Sequence, residues 1–109
     1  MIRFELDGKA HRAYFIHEYE DGVVQDRAGV ERRVRYPFAT QCIIKEGQPV
    51  KVPETDTTVP VGFGRAVCHP NDRFDKEKGR KVALAYALDD MGVKSKAQRF
   101  TVWQAYFAR

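Results

Sequence analysis

The chain has 109 residues, of which 43% are hydrophobic and 31% charged, with 19 Lys and Arg against 15 Asp and Glu. This length and composition predict a single folded domain over residues 1–109 and exclude a disordered tail. No apolar run approaches the roughly 18 residues that cross a bilayer, and the N-terminus alternates charged with apolar residues, unlike a signal peptide. We therefore expect no membrane partner and a cytoplasmic location.

The first part of the sequence predicts an N-terminal β-hairpin. Residues 2–6 alternate apolar with charged side chains, as in a half-buried strand, and Asp7-Gly8 is a strong signal for a two-residue turn. Residues 11–19 are rich in aromatic and β-branched side chains, which favour a strand. Asp21-Gly22 then predicts a second turn, so the hairpin is expected to occupy residues 1–21.

The middle of the sequence predicts two further strands separated by irregular segments. Residues 23–36 are too charged to be buried and predict a protruding excursion or a short edge hairpin. Residues 38–45 form the next predicted strand, whereas the proline-rich residues 47–60 predict a loop. Residues 60–68 predict the last strand, in which two glycines indicate a bulge or the close approach of another backbone.

The C-terminal third changes to helical spacing. Asp72 and Asp75 are candidate caps of a helix that ends at Gly92, and its predicted apolar face is Leu84, Ala87, Leu88 and Met91. Ser95 with Gln98 forms a capping box that predicts a second helix, on which Phe100, Trp103 and Phe107 are expected to pack against the sheet. The predicted fold class is α+β, with an antiparallel sheet of about four strands and two C-terminal helices packed on one face.

The sequence names no catalytic or metal site. Cys42 and Cys68 are too far apart for a metal or redox motif, and we expect both to be buried, reduced and inert. His11 and His17 would lie about 20 Å apart on one strand and cannot share a metal ion. His69 follows Cys68, but a Cys–His nucleophile needs spatial partners that spacing does not show. We predict a protein without cofactor, metal or catalytic activity.

The clearest candidate site is a basic segment at the predicted start of the first helix. Residues 55–109 carry ten bases and six acids, and five of these bases lie between residues 73 and 81. Basic side chains interact unfavourably with the positive end of the helix dipole. An anion bound by the free amides and the basic side chains together would offset this unfavourable interaction. The alternative is that Asp72, Asp75 and Glu77 neutralise the neighbouring basic side chains locally. The predicted nucleic-acid contacts are Arg73, Lys76, Lys78, Arg80 and Lys81, assisted by Arg65.

A family resemblance begins at the same residues. The segment Gly64-Arg-Ala-Val-Cys-His-Pro-Asn-Asp-Arg-Phe74, followed by Gly79-Arg-Lys-Val-Ala-Leu-Ala-Tyr-Ala-Leu88, resembles the pattern G-x-A-x-C-x-P-x-D-x-F…G-R-x-x-A-L-x-x-A-L of small proteins from tailed phages and prophages. The C-terminal residues 101–109 are similar to the tryptophan- and tyrosine-containing ends of those proteins. The resemblance implies a phage or prophage accessory protein in the host cytoplasm, and it implies no reaction.

Two functions from different classes follow. The first is binding to the phosphate backbone of DNA or RNA through the basic segment. The second is an inhibitor or adaptor that docks on a host protein, such as a defence nuclease, through Arg32, Arg33 and Arg35 or through the 47–60 loop, because arginine is favoured at interface hot spots.

Overall fold

The computed structural model describes residues 1–51, 55–69 and 71–109. Its strands are β1 (Ile2–Leu6), β2 (Lys9–Gln25), β3 (Glu31–Glu46) and β4 (Gly62–Val67), which form one antiparallel sheet in chain order. Two helices follow, α1 (Lys76–Asp90) and α2 (Lys96–Phe107). The α+β class and the element order are therefore as the sequence predicts. Residues 52–54 of the predicted loop and residue 70 of the phage-like segment lie outside the described residues.

The core lies between one face of the sheet and the two helices. The alternating apolar residues of β1 point into it, as their period of two predicts. Helix α1 packs on β3 and β4, and α2 packs on β1. Burying each large aliphatic side chain stabilises the fold by roughly 1.5–3 kcal/mol. The most buried apolar side chains include Ile2, Phe4, Ala13, Cys42, Ile44, Leu84, Leu88, Val102 and Tyr106.

Glycine in β4 allows α1 to approach the sheet closely. A Cβ atom at Gly64 would lie 2.5 Å from the amide nitrogen of Ala87 and closer still to the carbonyl oxygen of Ala83. At Gly62 a Cβ atom would overlap the side chain of Met91. The close approach predicted from these two glycines is confirmed, and it places the start of α1 beside the end of β4.

Strands β2 and β3 extend well beyond the rest of the sheet. Residues 19–25 of β2 pair with residues 31–37 of β3, where neither β1 nor β4 lies alongside. We call residues 19–37 the arm; its protrusion agrees with the excursion expected at residues 23–36. The predicted turn at Asp21-Gly22 is wrong, because Gly22 pairs with Val34 inside the strand and the ring of Tyr36 fills the space of its missing side chain.

The turn of the arm lies instead at residues 26–30. The Asp26 carboxylate accepts hydrogen bonds from the amides of Ala28 (2.9 Å) and Val30 (3.0 Å), and Gly29 adopts a φ of 76°. A short polar side chain that satisfies nearby amides is typical of such turns. A bulge at Phe38, between the pairs Glu18–Ala39 and Tyr19–Pro37, separates the arm from the sheet.

The helix ends follow the sequence, but the buried face of α2 does not. Asp75 caps α1, Ser95 caps α2, and Gly92 with a φ of 76° terminates α1, as predicted. The expected packing of Phe100 and Phe107 against the sheet is wrong, since these side chains are 63% and 64% exposed. The buried residues of α2 are Val102 and Tyr106, with Trp103 half-buried against the core. No helix in the described part of the chain is long and apolar enough to cross a membrane.

A buried ion pair stabilises the other face of the sheet. Arg12 Nη2 lies 2.8 Å from Asp56 Oδ2, and the two side chains are 1% and 3% exposed. Arg12 also donates to the carbonyl oxygen of Glu46 and to Thr58 Oγ1. Its guanidinium holds the pKa of Asp56 well below the usual range of a carboxyl group. The partners are 44 residues apart, and no local pattern in the sequence predicts this contact.

Candidate nucleic-acid interface

The N-cap carboxylate of Asp75 occupies two backbone amides in the first turn of α1. Asp75 Oδ1 accepts hydrogen bonds from the amides of Glu77 (2.9 Å) and Lys78 (3.2 Å), and the Asp75 carbonyl accepts from Gly79 (2.9 Å). An N-cap carboxylate thus satisfies two of the amide donors that were expected to hold an anion. These two amides are therefore not available to a bound anion.

Two of the six predicted contact residues are already paired with carboxylates. Arg65 donates to Glu18 through Nε (2.6 Å) and Nη2 (3.1 Å). It lies on the face of the sheet opposite the helices, because it alternates with Gly64, which contacts α1. Arg80 donates through Nη2 to Glu77 at 2.7 Å. The structure therefore does not bring Arg65 together with the basic start of α1.

The other four predicted contact residues surround the start of α1. We call Arg73, Lys76, Lys78 and Lys81 the basic cluster. The first three are exposed and Lys81 is half-buried. Among the described residues, none of the four has a carboxylate oxygen within 4.0 Å of its charged nitrogens. The cluster therefore presents its positive charge to solvent.

Glu77 does not neutralise the basic cluster. Its carboxylate accepts hydrogen bonds from Arg80 (2.7 Å), the Tyr106 hydroxyl (2.9 Å) and Arg109 (3.0 Å). The bond from Arg80, followed by the one from Tyr106, lowers the pKa of Glu77 to about 2. The two arginines and the tyrosine thus hold the one acid in the first turn of α1. In the part of the chain that the structure describes, the lysines beside it have no carboxylate within 4.0 Å.

His17 joins β2 to this network. Its Nδ1 lies 2.9 Å from Thr40 Oγ1, and its Nε2 lies 3.4 Å from Arg80 Nη1. Burial, together with the nearby charges of Arg80 and Lys76, lowers the pKa of His17. A neutral imidazole can accept a hydrogen bond from Arg80, which fixes that guanidinium against the sheet. The sequence does not predict this role, because His17 and Arg80 are 63 residues apart.

A cavity of about 160 Å³ lies between the end of β4 and α1. Arg73, Lys78, His69 and the half-buried Cys68 line part of it. Cys68 is therefore less buried than the sequence predicts, and its Sγ lies 3.4 Å from the carbonyl oxygen of Asp72. Cys42 is buried as expected, and burial raises its pKa to about 12. Both cysteines are free.

The arm carries the arginines predicted for the alternative function. Arg32 Nε lies 3.7 Å from Asp26, and Arg35 lies over the ring of Tyr19 at 4.8 Å. Arg32, Arg33 and Arg35 are all exposed. The arm holds four arginines and four acids, so its net charge is zero. It lacks the positive surplus of the basic cluster.

No family model, curated protein or solved structure matches this chain. Within residues 1–51, 55–69 and 71–109, no group of three or more His, Cys, Asp or Glu side chains is placed to hold a metal ion. The function is therefore inferred from the arrangement of the chain's own side chains.

Proposed function

We propose that this chain is a non-catalytic accessory protein that binds the phosphate backbone of nucleic acid through the basic cluster. One observation carries the proposal: four basic side chains surround one helix start without an ion-pair partner among the described residues. Bases at this end of a helix oppose its dipole, by about 0.3–1 kcal/mol each near the terminus. Phosphate groups would relieve both the mutual repulsion and the opposition to the dipole.

The chemistry of the cluster fits affinity without sequence readout. Lysine contacts phosphate as a flexible point charge, and such contacts position a protein on nucleic acid without reading bases. The resemblance of residues 64–109 to small phage and prophage proteins supports a role as an accessory protein in the host cytoplasm. The basic cluster lies within that resembling segment.

The proposal is tested by titrating fluorescent DNA and RNA oligonucleotides at low salt with the wild type and two double variants. Lys76→Gln/Lys78→Gln removes two charges from the cluster and should weaken binding about tenfold. Lys94→Gln/Lys96→Gln is the matched control, since it removes two exposed lysines beside the start of α2. The control should bind like the wild type. Equal weakening by both variants, or no wild-type binding, would contradict the proposal.

A second function is favoured by the arm. It projects from the sheet with exposed Val23 and Val24 and three exposed arginines, and its balanced charge suits a protein surface better than a phosphate backbone. We propose as the alternative that the arm docks on a host protein such as a defence nuclease. Capture of a defined host protein from nuclease-treated lysate should then be lost in Arg32→Ala/Arg33→Ala and kept in Lys76→Gln/Lys78→Gln.

A further inference from the structure

Two exposed aromatic rings lie beside basic side chains near the start of α1. Phe107, near the end of α2, is 64% exposed, and Lys81 Nζ lies 5.4 Å from its ring centroid. Tyr19, at the base of the arm, is 38% exposed, with Lys76 Nζ at 6.0 Å and Arg35 at 4.8 Å from its ring centroid. Each ring thus combines an accessible apolar surface with a neighbouring positive charge.

The two rings flank the same part of α1. Lys76 and Lys81 are five residues apart, so the helix rises only about 7.5 Å between them but turns by about 140°, which directs the two lysines to different sides of the helix. Tyr19 lies on the helix side of the arm, because it is two residues beyond His17, whose ring contacts Phe74 and Arg80. A nucleic-acid strand that crosses the start of α1 would meet both rings and the basic cluster.

Two other exposed aromatic residues, Phe100 and Tyr36, lack this combination. Phe100 belongs to the same helix as Phe107 and is 63% exposed, but within the described chain no cation lies over its ring. Tyr36 is 43% exposed and pairs with Glu20, the residue after Tyr19, so it lies on the other face of the arm. Its hydroxyl donates to the Glu20 carboxylate at 3.3 Å.

We infer that the nucleic acid bound by the basic cluster is single-stranded, and that Phe107 and Tyr19 stack on its bases. This inference rests on the proposed function. A duplex hides its base faces in its own stack, whereas a single strand offers them to aromatic side chains, and cations beside the rings hold the adjacent phosphates. Stacking is tolerant of sequence, so it is consistent with a cluster that reads no bases.

The test compares matched aromatic variants on a single strand of about 12 nucleotides and on the duplex of the same sequence. Wild type should bind the single strand more tightly. Phe107→Leu and Tyr19→Leu should each weaken single-strand binding about 5- to 100-fold, with little change on the duplex. Phe100→Leu and Tyr36→Leu are the controls and should bind the single strand like the wild type. Circular dichroism is used to check that all four variants are folded.

The outcomes separate the inference from the proposed function. Equal or tighter duplex binding by the wild type, or equal effects of Phe107→Leu and Phe100→Leu, would overturn base stacking and leave phosphate binding in place. Loss of binding to both oligonucleotides in Lys76→Gln/Lys78→Gln, with the single strand preferred by the wild type, supports both. Absence of any wild-type binding overturns both.

Discussion

At the scale of single residues, the contacts of Glu77 determine which basic side chains near the start of α1 remain without a carboxylate partner among the described residues. The sequence shows acidic and basic residues mixed between positions 72 and 81, but it does not show which of them form ion pairs. Arg80 lies three positions after Glu77, which is a spacing at which helical side chains meet, so this pair was predictable. The contacts from Tyr106 and Arg109 were not, because both residues lie about thirty positions away in sequence and reach Glu77 only through tertiary packing.

Glu77 also makes a pH-dependent contribution to stability. Its pKa is about 2 in the folded chain, below its ordinary value of 4.5, so its stabilising contacts are present above the ordinary pKa and are lost as pH falls through the folded one. We expect Glu77→Gln to lower Tm most above about pH 5, with the difference from the wild type vanishing toward about pH 2. Thermal unfolding of the wild type and the variant between about pH 2 and pH 5 measures this difference in Tm.

The control for this pH series is Glu5→Gln, which removes an exposed carboxylate from β1 on the face away from the core. Its Tm should stay close to that of the wild type throughout the series. Asp56 titrates in both wild type and variant, so its effect cancels in the difference. A Tm difference for Glu77→Gln that does not change with pH would show that the carboxylate charge is not what the arginines recognise.

At the scale of elements, local signals predicted most of the fold. The β1–β2 turn at Asp7-Gly8, the caps Asp75 and Ser95, and the terminating Gly92 depend on side chains close to the backbone groups they serve. The turn predicted at Asp21-Gly22 fails because the same dipeptide is tolerated in a strand when an aromatic ring covers the glycine. That choice depends on Tyr36, fourteen residues later on the partner strand.

The buried face of α2 shows a second limit of prediction from the sequence. The aromatic stripe Phe100, Trp103 and Phe107 and the stripe Val102 and Tyr106 are neighbours on the helix surface, and hydrophobicity alone favours the first. The structure buries the second, in which the Tyr106 hydroxyl has Glu77 as a partner. A buried tyrosine needs such a partner, and one sequence does not reveal which remote side chain supplies it.

The glycines of two strands provide a test of the packing of α1. Gly64→Ala would push a methyl group into the α1 backbone, and we expect it to lower the free energy of unfolding by about 1–3 kcal/mol or more. Gly22→Ala is the matched control, since its methyl group meets only the exposed ring of Tyr36, which can move. Its effect should stay within about 0.5 kcal/mol in denaturant unfolding. Equal destabilisation would contradict the close approach of α1 to β4.

At the scale of the whole molecule, the fold sorts the positive charges into separate groups. Arg65 pairs with Glu18 on the face without helices, Arg80 turns inward toward Glu77, and the arm balances its own charge. The basic cluster keeps its charge exposed at the junction of the arm and α1. The sequence indicates a basic segment but does not separate the paired from the unpaired basic side chains, because the ion pair of Arg65 spans 47 residues.

The salt dependence of nucleic-acid binding tests the central claim most directly, because it counts the phosphate contacts that a protein makes. For a single strand the slope of log K against log salt concentration changes by about 0.7 per contact. Lys76→Gln/Lys78→Gln should therefore flatten the slope by about 1.4, whereas Lys94→Gln/Lys96→Gln should leave the wild-type slope unchanged. The same slope for the wild type and both double variants would contradict the assignment of phosphate contacts to the start of α1.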